Sequence, residues 1–80
     1  MHVEVRRYAT LAEPGSGRSP GEPEIVQLDQ GTTVACLVER LGLAAGAVHL
    51  VVVNGRILHD LAAPLADGDR VALFPPVGGG

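Results

Sequence analysis

The chain has 80 residues, enough for one domain, with 9 acidic and 6 basic residues and a formal net charge of -3. A net negative chain with no basic cluster is poorly suited to nucleic acid, whose phosphates need grouped Arg or Lys. At 46% hydrophobic it is too apolar for a disordered chain, yet a domain this small buries only about 60–65% of its unfolded surface and has little room for a deep catalytic pocket.

Val3 and Val5 alternate with Glu4 and Arg6, which predicts a half-buried strand over residues 2–8. Residues 12–23 hold Pro14, Gly15, Ser16, Gly17, Ser19, Pro20, Gly21 and Pro23, a density of breakers that predicts a surface loop. Alternation resumes over residues 24–29, with Ile25, Val26 and Leu28 apolar, as a second strand paired in a hairpin with the first. Gly31-Thr32-Thr33 then opens a helix, either threonine being able to accept an orphan backbone N–H. Val34, Leu37, Val38 and Leu41 form one apolar stripe, and Gly42 is suited to end the helix in the left-handed conformation.

Residues 48–53, with Val51, Val52 and Val53 in a row, predict a third strand. Asn54-Gly55 predicts a tight turn, since both residues tolerate positive φ, and residues 56–58 a short return strand. Pro64-Leu65 falls in an irregular segment and Asp67-Gly68-Asp69 in a turn. Residues 70–74 form the last strand, which Pro75-Pro76 ends because proline cannot donate to a ladder. A hairpin, one helix and then further strands give an α+β domain: a mixed sheet of four to five strands with the helix across one face. With the first and last strands as central parallel neighbours, this is the β-grasp, or ubiquitin-like, order. Residues 1–74 are read as the domain and residues 75–80 as a flexible C-terminal tail.

Few side chains invite catalysis, and none is assigned a catalytic or metal-binding role. His2, His49 and His59 are scattered, without carboxylates at ligand spacing. Cys36 has no second cysteine for a disulfide and no histidine at helical spacing. A lone cysteine, no apolar leader after Met1 and no bilayer-length apolar run lead us to expect a cytoplasmic protein that is not in a membrane. The end of the chain is more informative. Pro75, Pro76, Val77, Gly78, Gly79 and Gly80 make a tail stiff at its base and bare at its tip. Glycine permits close approach of a partner's backbone, so the tail suits insertion into a narrow channel, with the Gly80 main-chain carboxylate as the reactive group.

Phe74-Pro75-Pro76-Val77-Gly78-Gly79-Gly80, preceded by Asp67-Gly68-Asp69-Arg70-Val71-Ala72-Leu73, resembles the end of the small subunit of molybdopterin synthase, the MoaD family. Tyr8-Ala9-Thr10-Leu11-Ala12-Glu13, Val53-Asn54-Gly55-Arg56 and Pro64-Leu65 extend the resemblance along the whole chain. It departs from the family pattern at Gly78, where a small Ala or Ser is frequent, and in the Gly/Pro-rich loop. The resemblance implies a sulfur carrier without catalytic side chains of its own and with no bound cofactor. An adenylating enzyme of the MoeB kind would use ATP to make an acyl-adenylate at Gly80. A sulfur donor, a desulfurase or rhodanese, would convert it to a thiocarboxylate. A large subunit of the MoaE kind would then pass that sulfur to a pterin precursor of the molybdenum cofactor. The wider family, which includes ThiS, implies alternatives: sulfur supply for thiamine, cysteine or tRNA thiolation. A ubiquitin-like modifier joined to target lysines through Gly80, and an interaction domain with an inert tail, are the other readings.

Strand parity suggests where such partners dock. If Val3, Val5, Val71 and Leu73 face the helix, Tyr8 and Phe74 face away and meet near the root of the tail. If Val48, Leu50 and Val52 point inward, Val51 and Val53 point outward beside them. Tyr8, Phe74, Val51 and Val53 are therefore the expected docking patch.

Overall fold

The computed structural model describes residues 1–12 and 21–76. Five strands, β1 (His2–Arg7), β2 (Glu24–Gln27), β3 (Leu50–Val53), β4 (Arg56–Ile57) and β5 (Arg70–Phe74), form one sheet in the order β2-β1-β5-β3-β4. The hairpin partners β1 and β2 are antiparallel, β1 and β5 are parallel neighbours, and β3 is antiparallel to both β5 and β4. The helix α1 (Val34–Arg40) covers one face, giving the mixed-sheet β-grasp architecture expected from the order of elements. Among the described residues no helix is long and apolar enough to cross a membrane.

The core follows from the two periodicities. Val3 and Val5 of β1, Val71 and Leu73 of β5 and Val51 of β3 present one face of the sheet, and Val34, Leu37 and Val38 come down on it from α1. Leu11, Leu28 and Leu65 close the rim of this cluster. At the edge of the same face, Arg7 and Glu24 pair across β1 and β2 with Arg7 Nη2 2.9 Å from Glu24 Oε1.

Both helix ends are capped by the residues that the sequence marks. The Thr33 hydroxyl accepts a hydrogen bond from the Cys36 backbone N–H at 3.2 Å. At the other end Gly42 takes φ +77°; its N–H donates to the Glu39 carbonyl, and the Leu43 N–H to that of Val38. This double closure ends a helix where a left-handed residue follows it. Asn54 and Gly55 both have positive φ, 53° and 82°, as a two-residue hairpin turn requires. The Asn54 carboxamide also ties this turn to the next, donating to Asp69 Oδ1 and accepting from the Arg70 N–H, each at 2.9 Å. The Asn-Gly and Asp-Gly-Asp motifs thus meet at one end of the sheet.

Some boundaries differ from the sequence reading. β1 stops at Arg7 because Ala9–Leu11 turn into a short 3-10 helix, burying Leu11. β3 begins at Leu50 rather than residue 48, because a second 3-10 turn, Ala45–Ala47, delivers the chain to the sheet. β2 and β4 also end early, at Gln27 and Ile57. Residues 13–20 of the predicted loop and residues 77–80 of the predicted tail lie outside the described residues.

Candidate functional site

Because β1 and β5 run parallel and in register from Glu4↔Arg70 to Arg7↔Leu73, they finish at the same end of the sheet. Tyr8 follows β1 directly, its N–H donating to the Leu73 carbonyl at 3.1 Å, and Phe74 is the last residue of β5. Both alternate away from the buried Val5 and Leu73, so both side chains emerge on the face that the helix leaves open. Their rings stack, with centroids 4.6 Å apart and planes 6° from parallel. Pro75 and Pro76 leave the sheet from this spot, so the stacked pair stands at the root of the tail, as strand parity predicts.

The pair is part of an apolar hollow of about 340 Å³ lined by Tyr8, Ala9, His49, Leu50, Phe74, Pro75 and Pro76. Three of these residues, Ala9, His49 and Leu50, escaped the sequence reading. Leu50 and His49 arrive through the β3–β5 register: Leu50 lies opposite Phe74, and the His49 N–H donates to the Phe74 carbonyl at 2.8 Å. Ala9 has φ +50°, a left-handed conformation that costs a non-glycine residue roughly 1 kcal/mol or more. That local strain turns the chain away from β1 immediately after Tyr8.

The placement of Val51 and Val53 has to be corrected. Val51 is 3% exposed and belongs to the core, and Val53 packs against it. The reason is the register: Val51 lies opposite Leu73 and Val53 opposite Val71, and residues directly opposite in a ladder share a face. Leu50 and Val52 therefore take the open face that had been expected for Val51 and Val53. Farther along that face Val52 and Ala72 border a second hollow with Glu4, Arg6 and Arg70. The open face is thus apolar at the tail end and charged at the other.

Of the expected site residues, the structure brings together Tyr8, Phe74, Pro75 and Pro76 and sets Val51 and Val53 apart from them. Val77, Gly78, Gly79 and Gly80 lie outside the described residues. Cys36 is exposed on α1. Among the described residues no group of three or more His, Cys, Asp or Glu is placed to hold a metal ion. What the site offers is an apolar, partly pre-stacked surface where Pro75 and Pro76 leave the sheet, the kind of surface that marks a partner site.

Comparison with known proteins bears on the family and the fold. Residues 17–80 match the model of the ThiS family. Over 100% of both chains, the structure is similar to SAMP1 from Haloferax volcanii, with 30% identity and a TM-score of 0.71. The HVO 2177 protein of the same organism is similar over 100% of this chain and 87% of its own, at 31% identity and a TM-score of 0.76. A chain in the complex of subunits 1 and 2 of the molybdopterin-converting factor from Helicobacter pylori 26695 is similar over 100% of both chains, at 28% identity and a TM-score of 0.63. A search of curated protein sequences finds no match. With the family model spanning most of the sequence and the β-grasp sheet in place, the chain belongs to the ThiS family and is a ubiquitin-like protein of the MoaD/ThiS kind.

Proposed function

We propose that this chain is a sulfur carrier whose Gly80 carboxylate is adenylated, converted to a thiocarboxylate and used to supply sulfur for molybdopterin synthesis. The observation that carries the reading is the stacked Tyr8–Phe74 pair at the root of a tail that runs from Pro75 to Gly80. A docking surface placed there holds a partner close to the chain end, where the chemistry is. The similarity to a chain of the Helicobacter pylori complex supports a large-subunit partner of the MoaE kind.

The proposed chemistry asks for no catalytic side chain in this chain. A carboxylate resists nucleophiles, so ATP first converts Gly80 to an acyl-adenylate with release of pyrophosphate, on an adenylating enzyme of the MoeB kind. Sulfide, released from a desulfurase or rhodanese persulfide by a second thiol that is oxidised to a disulfide, then attacks the acyl carbon. The bond to the AMP oxygen breaks, AMP leaves with the electron pair, and the thiocarboxylate remains. Its sulfur is transferred to a pterin precursor on the large subunit, and the carboxylate is regenerated. The partners supply the catalytic groups; this chain supplies a bare terminus and the surface that presents it.

The similarity to SAMP1 supports a second reading, a modifier joined through Gly80 to lysines of target proteins. The test is to incubate the chain with ATP, an adenylating enzyme of the MoeB kind and sulfide, add a MoaE-like large subunit, the pterin precursor and a lysine-bearing protein extract, and follow both products. Sulfur appearing in the pterin, with free carrier returned, supports the first reading. Isopeptide-linked conjugates with no pterin product support the second.

A further inference from the structure

We infer that Gly21 is a positioning residue for the docking surface: it holds the Tyr8 ring against Phe74 by leaving no room for a side chain beside it. Gly21 is anchored to the strand that precedes Tyr8. Its N–H donates to the Arg7 carbonyl at 2.8 Å, and its own carbonyl accepts from Arg6 Nη1 at 3.3 Å. A Cβ on Gly21 would lie 2.9 Å from Tyr8 Cε1, 3.4 Å from Cζ and 3.5 Å from the hydroxyl oxygen. The first of these is shorter than carbon atoms tolerate, so the edge of the Tyr8 ring rests directly on the Gly21 backbone.

Gly21 differs in this from the other described glycines with positive φ. Gly31, Gly42, Gly55 and Gly68 have φ between +77° and +84°, and a Cβ built on any of them meets nothing within 4 Å. They are glycine for their backbone conformation alone. Gly21 has the same kind of conformation, φ +77°, and the ring contact as well. With the backbone tied at Arg6 and Arg7, a new methyl group is accommodated by movement of the Tyr8 side chain, and that movement takes the ring off Phe74. The end of the Gly/Pro-rich loop thereby sets the shape of the patch at the root of the tail. This inference rests on the docking role proposed for Tyr8 and Phe74.

The test compares Gly21→Ala with Gly42→Ala, which has the same φ of +77° and no neighbour to displace. The sequence has one tyrosine and no tryptophan, so the tyrosine band of near-UV circular dichroism reports Tyr8 alone. Gly21→Ala is expected to change that band while far-UV circular dichroism is kept. In adenylation by a MoeB-like enzyme it is expected to raise KM for the chain about tenfold with kcat little altered, the signature of lost docking. Gly42→Ala is expected to change neither. In a Tyr8→Ala background, adding Gly21→Ala should have no further effect on KM, because the residue it acts through has gone.

A Gly21→Ala chain that matches Gly42→Ala in band and KM overturns the inference, as does a KM effect that persists undiminished in the Tyr8→Ala background. If Gly21→Ala alone fails to fold, the double variant must fold as Tyr8→Ala does, and failure to do so also overturns it. A wild-type chain that is never adenylated contradicts the functional reading instead, while the circular dichroism comparison still decides the role of Gly21.

Discussion

Phe74 does two jobs that one substitution can separate. Its backbone belongs to β5, where its carbonyl accepts from the His49 N–H, whereas its side chain lies on the open face against Tyr8. Phe74→Asp should therefore keep the fold, losing about 0.5–1.5 kcal/mol of stacking. It should weaken binding of the adenylating enzyme about 10- to 100-fold, the scale of an aromatic anchor at the centre of an interface. Titration calorimetry with that enzyme checks the loss, and unchanged affinity would remove Phe74 from the docking surface. The Arg7–Glu24 pair makes the opposite kind of contribution. The two side chains are each only 12% exposed, and Arg7 also donates through Nε to Glu24 Oε1 at 2.9 Å. Glu24→Gln removes the charge that neutralises a largely buried guanidinium, and urea denaturation should show a loss of about 2–4 kcal/mol. Docking should be unaffected, because this pair is on the helix side of the sheet.

At the scale of elements, α1 depends on Thr33 for its start. Thr33→Ala deprives the Cys36 N–H of its acceptor and should cost about 1 kcal/mol in thermal or urea unfolding. For β3 the phase of the strand is the sharper issue. Val51→Asp places a carboxylate in a core position that is 3% exposed and should cost at least about 4 kcal/mol, enough to unfold so small a domain. Leu50→Asp, one residue away on the open face, should keep the far-UV circular dichroism spectrum and weaken docking beside Phe74. The contrast shows what the sequence could and could not reveal. β1 and β5 could be phased because Val3 and Val5, or Val71 and Leu73, alternate with polar or small residues. The helix could be placed because Val34, Leu37 and Val38 recur at helical spacing. In β3, Leu50, Val51, Val52 and Val53 are all apolar, so alternation carries no phase. Only pairing with β5, Val51 opposite Leu73, decides which side is inward. The same pairing brings His49 and Leu50 to the tail root, which is why local pattern missed them.

At the scale of the whole molecule, the proposed function makes the fold a handle for Gly80. Parallel β1 and β5 end together, so Tyr8, Phe74 and the outgoing prolines share one end of the sheet. The Asn54 and Asp69 turns knit the opposite end. On that reading the domain needs no active site of its own, because the reactive group is the Gly80 carboxylate. The most direct test is the intact mass of the chain after incubation with ATP, an adenylating enzyme of the MoeB kind and a sulfide source. Replacement of one oxygen by sulfur, located at Gly80 by fragmentation and abolished by removing Gly79 and Gly80, is the expected result. A chain whose mass does not change, with an adenylating enzyme that is active on its own carrier, would contradict the sulfur-carrier reading.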